Sequence, residues 1–145
     1  MKVKEIMSEE ACYIEPTTTV KEAAQKMREK DCGFLAIGKE SEGKLSGVIT
    51  DRDIAIRSVA QGHDPANTKV EAVQTPEVLY CFEDDNIDDA AQNMHDNQVY
   101  RLIVLNNENE KQLCGVVTLG DIVRNDETRA AEKAAKGISS KQQAA

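Results

Sequence analysis

The chain has 145 residues, 26 acidic against 18 basic side chains, a net charge of −8 and an isoelectric point near 4.8. Such a surface repels phosphate backbones and anionic lipid, which excludes nucleic acid as a partner. No apolar run approaches the roughly 20 residues that span a bilayer and MKVKEIMSEE lacks an apolar leader core, so no membrane contact and a cytoplasmic location are expected.

Three Tyr, two Phe and no Trp leave an aliphatic core. In chain order, CYI at 12–14 reads as a short strand. Pro16 keeps Glu15 extended, and Thr19 with Glu22 forms a capping box. Val20, Ala23, Ala24 and Met27 then mark one face of a helix. It ends near Asp31-Cys32-Gly33, where Gly33 is expected to take the left-handed cap. FLAI at 34–37 is a buried strand, KESEGK at 39–44 a turn and LSGVIT the returning strand. Thr50 opens a second helix in DRDIAIRSVAQG, and GHDPANT at 62–68 follows as a linker. The order then recurs: LYCF at 79–82, a helix announced by Asn86 and Asp89, RLIV at 101–104, the turn NNENEK, LCGVVT, and LGDIVR behind Thr118. The remaining DETRAAEKAAKGISSKQQAA is Ala-rich and polar without an apolar stripe, and is expected to be a frayed helix followed by disorder.

This recurrence is a duplication. GVITDRDI at 47–54 and GVVTLGDI at 115–122 share five of eight residues, and VKEAAQKM at 20–27 matches IDDAAQNM at 87–94 at an offset of 67. The copies run 2–57 and 69–124, with 58–68 as linker and 125–145 as tail. Each copy reads strand, helix, strand, strand, helix, an α/β (α+β) class in which a crossover and a hairpin build a small sheet with helices on one face. A copy of some 55 residues buries only about 60% of its unfolded surface, so each should need its twin, paired across a pseudo-twofold axis.

Cys12, Cys32, Cys81 and Cys114 occur singly, without C-x-x-C or a neighbouring His, and read as buried free thiols. His63 and His95 are too isolated for a metal site or a triad, and no nucleophile has an oriented base, so no enzyme is expected. Acidic runs such as Glu83-Asp84-Asp85 and Asp88-Asp89 read as helix caps, with divalent-cation sensing as the alternative. The repeated G-V-[IV]-T-x-x-D-I supports two readings. Thr50 with Asp53, and Thr118 with Asp121, are either plain capping pairs or a carboxylate and hydroxyl facing a ribose and phosphate at a helix start.

VKEIM, T-T-V-x-E-A-A-x-x-M, the hairpin strands and GVITDRDI, present in both copies over about residues 2–124, resemble a cystathionine-β-synthase (CBS) domain, and two in tandem resemble a Bateman module. The resemblance implies a non-catalytic regulatory sensor, akin to stand-alone bacterial CBS-pair proteins. It would bind an adenosine-containing ligand (AMP, ADP, ATP, S-adenosylmethionine or NAD) in clefts between the repeats and signal through the geometry of a homodimer to a regulated protein partner. It also implies roles for residues. Asp121 and Asp53 hold ribose hydroxyls, Thr118 and Thr50 contact ribose or phosphate, Arg101 reaches the phosphate, and Thr18, Ala23 and Cys32 receive the adenine in the cleft of the second copy. Phe34 takes the place of Arg101 in the first copy, so the clefts are unequal and an anion should prefer the one with Arg101. Arg52 offers the first copy a substitute cation, and Tyr100 offers either a stacking face or packing. The competing function is a structural or interaction protein with vestigial clefts that docks a partner through its acidic surface and tail. Apolar Ile6, Ile54, Ile56 and Val59 provide faces that a dimer would cover.

Overall fold

The computed structural model describes the chain apart from Glu10, Cys12, Asp126, Glu127 and Ala145, and apart from the side chains of Glu40, Thr128 and residues 140–144. It divides into two compact units, a central one spanning Cys12–Val78 and a terminal one joining Met1–Ala11 to Leu79–Ala145.

The central unit contains β1 (Tyr13–Ile14), α1 (Val20–Lys30), β2 (Phe34–Lys39), β3 (Lys44–Thr50) and α2 (Asp51–Asp53), which continues as a π-helical stretch over Ile54–Val59. The sheet order is β1-β2-β3, β1 parallel to β2 and β2 antiparallel to β3. A parallel pair requires a crossover, and α1 supplies it. The helix starts where the capping box lies: Thr19 Oγ1 accepts from the Glu22 N–H at 3.2 Å and Glu22 Oε2 accepts from the Thr19 N–H at 3.1 Å. Its other end differs from expectation. Asp31, at φ 50° and ψ 50°, takes the left-handed position. Asp tolerates that region because its short polar side chain can bond locally. Gly33 serves close approach instead, since a Cβ there would lie 2.6 Å from Asp51 Oδ2.

The terminal unit repeats the plan with β4 (Tyr80–Phe82), α3 (Ile87–Asn97), β5 (Arg101–Leu105), β6 (Leu113–Thr118) and α4 (Leu119–Arg124), in sheet order β4-β5-β6. Asn86 occupies the N-cap position of α3 with extended backbone but makes no side-chain cap, and Gln98 at φ 55° ends the helix. The tail also departs from expectation. α5 (Thr128–Ala144) is a 17-residue helix packed against α3 and α4, with Ala130, Ala134 and Gly137 buried. Small residues replace the missing apolar stripe: a Cβ on Gly137 would lie 2.5 Å from the His95 carbonyl oxygen, so only glycine admits this approach. The cover changes the fate of an aligned pair, for Ala91 of α3 is fully buried whereas Ala24 of α1 is exposed.

Each unit has its own aliphatic core. Ile14, Val20, Ala23, Leu35, Ile37 and Ile49 form the central one, completed by Val70 and Val73. Ile87, Met94, Leu102, Val104, Val117 and Ile122 form the terminal one, completed by Val3 and Ile6. The anchors are exchanged: Val3 and Ile6 open the first sequence copy yet pack in the unit that holds the rest of the second, and Val70 and Val73 do the converse. Two short 3₁₀ turns, Val3–Glu5 and Val70–Ala72, place them. The need of each copy for its twin is met in part through this exchange.

Candidate functional site

In the central unit, Thr50 and Asp53 join β3 to α2 as a reciprocal cap. Asp53 Oδ2 accepts from the Thr50 N–H at 3.0 Å, and Thr50 Oγ1 accepts from the Asp53 N–H at 3.1 Å. Asp53 is only 8% exposed, and a buried carboxylate needs further donors. Thr75 supplies one, its hydroxyl 3.1 Å from both carboxylate oxygens. Arg57 approaches Oδ1 at 3.8 Å through Nε while its Nη1 donates to the Gln74 carbonyl at 2.8 Å. Arg52 is exposed at the first turn, and Phe34 pairs across the sheet with Thr50. Thr18 is half-buried with its carbonyl accepting from the Val70 N–H at 2.8 Å. Cys32 is exposed, its thiol 3.5 Å from the Phe34 carbonyl oxygen. Ala23 has no exposed surface and contributes to the core.

The terminal unit builds the matching corner from Thr118 and Asp121. Asp121 Oδ2 accepts from the Thr118 N–H at 2.8 Å and from its hydroxyl at 2.9 Å, and Thr118 Oγ1 accepts from the Asp121 N–H at 3.1 Å. Here the outside donor is a guanidinium: Arg124, one turn along α4, pairs with Oδ1. Arg101 stands directly across the hairpin from Thr118, so the spacing that singled it out does bring it to this corner. Its guanidinium lies 4.5 Å from the centroid of the Tyr100 ring and also donates to the Tyr100 hydroxyl. Tyr100 is therefore an exposed ring already faced by a cation. A groove of about 540 Å³ opens beside it, lined by Tyr100, Leu119, Gly120, Val123, Arg124 and Ile138.

Thr118, Asp121, Arg101 and Tyr100 thus gather in the terminal unit, and Thr50, Asp53, Arg52, Thr18, Ala23 and Cys32 belong to the central one. The sequence reading missed Thr75, Arg57, Arg124 and Ile138. A signal existed for the two arginines, since each sits one turn beyond the aspartate of the repeated phrase, at i+4 and i+3.

Burial varies among the thiols where all were expected to be inside. Cys81 is buried in β4, and desolvation, reinforced by the nearby Asp85 charge, pushes its pKa up to about 12. Cys114 is half-exposed, its pKa raised by desolvation and then by Glu83, and Cys12 lies outside the described residues. Lys4 pairs with Asp84 at 2.8 Å, which holds that carboxyl below and the ammonium above their usual ranges. Among the described residues, no group of three or more His, Cys, Asp or Glu is arranged to hold a metal ion, and no helix is long and apolar enough to cross a membrane.

Comparison with known proteins agrees with this architecture. The CBS domain model matches residues 3–59 and 70–127. The CBS domain-containing protein YhcV of Bacillus subtilis is 35% identical over 85% of this chain and 84% of its own. The crystal structure of Hypoxic Response Protein I with two coordinated zinc ions superposes with a TM-score of 0.73 at 32% identity, covering 86% of this chain and 98% of that one. The CBS domain pair of protein MJ0100, solved with 5′-methylthioadenosine and S-adenosyl-L-methionine, superposes with a TM-score of 0.74 at 28% identity over 89% of this chain and 98% of that one. CBS-domain pairs are regulatory modules. A doubled strand-helix-hairpin-helix plan, carrying the same Thr and Asp at the same corner of each sheet, places this chain in the CBS-domain family as a tandem pair.

Proposed function

We propose that the protein is a cytoplasmic sensor that works by occupancy, binding an adenosine-containing ligand (AMP, ADP, ATP, S-adenosylmethionine or NAD) at the Thr/Asp corners of its repeats and passing that occupancy on through a homodimer. The observation that carries this reading is the bonding of the two buried aspartates. Asp121 accepts from the Thr118 hydroxyl and Asp53 from the Thr75 hydroxyl, at 2.9 and 3.1 Å. A ribose diol presents the same donors to the same acceptor. Arg101 is the cation for the phosphate end, and Tyr100 borders it. The terminal corner is the stronger site, since Asp53 must release Thr75 before a sugar can replace it, whereas Asp121 must release a solvent-exposed arginine. The adenosine ligands of the MJ0100 pair support the ligand class. Ile56 and Val59, 51% and 64% exposed, together with Val123 at 57%, supply apolar surface for the dimer.

Titration calorimetry with AMP, ATP, S-adenosylmethionine and NAD tests the proposal. Hydrogen bonds to a charged group contribute about 1.5–3 kcal/mol, so Asp121→Ala is expected to weaken binding about 10- to 100-fold, and Asp53→Ala less. Absence of wild-type binding to all four at millimolar concentration removes the reading. Sedimentation equilibrium checks the dimer, with Val59→Asp expected to shift it to monomer.

A further inference from the structure

The groove beside Thr118 and Asp121 is lined by residues that the central unit does not repeat. At the 68-residue offset of the repeated phrase, Leu119, Gly120, Val123 and Arg124 correspond to Asp51, Arg52, Ala55 and Ile56. The central corner therefore has a carboxylate where the terminal one has Leu119, and an isoleucine where it has a cation. The far wall of the groove, Ile138, belongs to α5, and α5 begins at Thr128, beyond both stretches matched by the family model. Its volume of about 540 Å³ falls within the roughly 300–1,000 Å³ of small-molecule sites, and its make-up is theirs also: apolar walls with one well-placed charge.

The charge is Arg124. Its side chain is 70% exposed and tied at one end to Asp121 Oδ1. Gly120 makes room for it, since a Cβ at that position would lie 3.2 Å from Arg124 Nη1. Among the described lining residues none is acidic, and Arg101, stacked on Tyr100 at 4.5 Å, brings a second positive charge to the rim. We infer that this groove seats the anionic end of the ligand, with Arg124 as its cation and Ile138 of α5 as its outer wall. The protein thereby selects a phosphate-bearing adenosine ligand over a neutral nucleoside or a sulfonium. When ribose hydroxyls take Asp121 Oδ1, the guanidinium turns from that carboxylate to the phosphate. The inference rests on the proposed function for the identity of the sugar and base, and adds to it the class of the third group.

Calorimetry with adenosine, S-adenosylmethionine and AMP, together with amide-shift titration using inorganic pyrophosphate, separates the two claims. Wild type is expected to bind AMP at least about tenfold more tightly than adenosine or S-adenosylmethionine. Arg124→Gln is expected to abolish that preference by weakening AMP about tenfold, while adenosine affinity does not fall, because the ribose then has no arginine to displace from Asp121. Ile138→Trp, which fills the groove from a helix outside both repeats, is expected to weaken AMP about tenfold with an unchanged melting temperature. Equal affinity of wild type for AMP and adenosine, an equal loss of both in Arg124→Gln, or no change in Ile138→Trp overturns the inference and leaves the proposed function standing. If wild type binds no adenosine compound, the proposed function falls and pyrophosphate decides the groove. Shifts at Leu119 and Gly120 that vanish in Arg124→Gln uphold it, and their absence from wild type overturns it.

Discussion

The same eight-residue phrase ends in different electrical surroundings in the two units. In the central unit the hydrogen bond that reaches the buried aspartate from outside the phrase comes from a neutral hydroxyl, Thr75, held in place by a two-bond backbone bridge to Val48, while Arg57 stands off at 3.8 Å. In the terminal unit the same bridge is built by Ser8 and Val116, but Ser8 is exposed and the donor to Asp121 is the guanidinium of Arg124. The phrase fixes a carboxylate at the corner of each sheet, and residues outside the fixed part of the phrase decide what meets it. α5 widens the difference, since it covers α3 and adds Ile138 to the wall of the terminal groove.

The comparison can be broken first in the cores. Met94 has no exposed surface whereas its aligned partner Met27 is 7% exposed. Met94→Ala is expected to cost about 3 kcal/mol and Met27→Ala less, measured by urea denaturation, because truncation leaves a cavity that a tightly covered site cannot refill. Next is the helix that only one unit has. Gly137→Val drives a side chain into the backbone of His95 and is expected to cost about 2 kcal/mol, with amide exchange rising in α5 and α3 but not in α1.

The third test uses pH. The Cys81 thiol titrates near 12 in the folded chain, above its ordinary value of 9.0. Its contribution is therefore fully present below about pH 9 and is lost as pH rises from there through about 12. The loss is about 1.4 kcal/mol per pH unit within that window. Wild type measured against Cys81→Val should show this as an alkaline decline that the variant lacks. The smallest effect sharpens the contrast at the aspartates. Thr75→Val leaves Asp53 short of a donor and is expected to cost about 1 kcal/mol, while Ser8→Ala should cost no more than about 0.3 kcal/mol.

Much of the fold was legible because each element carries a local cause. The i, i+3, i+4, i+7 spacing of Val20, Ala23, Ala24 and Met27 marked α1, the Thr19/Glu22 pair marked its start, and the repeat offset carried both to α3. What escaped the sequence depends on neighbours. Gly33 reads as a helix stop until Asp51 is seen to crowd it, and Ala24 and Ala91 read alike until α5 covers one of them. The tail reads as a frayed helix, and the packing of α5 was missed because close contact through Ala130, Ala134 and Gly137 depends on the absence of side chains, which a search for apolar stripes does not register. At the site, the Thr and Asp pairs were readable from their repetition. Thr75 was not, because it reaches Asp53 from 22 residues away with no pattern linking them.

The exchange of Val3 and Ile6 for Val70 and Val73 has a consequence for any attempt to separate the halves. A fragment cut at the repeat boundary would carry two anchors that fit a neighbour's interior and lack the two that fit its own. Lone repeats are thus expected to trade these segments between molecules, assembling as interlocked pairs at high concentration and opening on dilution. Fusion in a single polypeptide replaces that encounter with a tethered one, at an effective concentration of order millimolar.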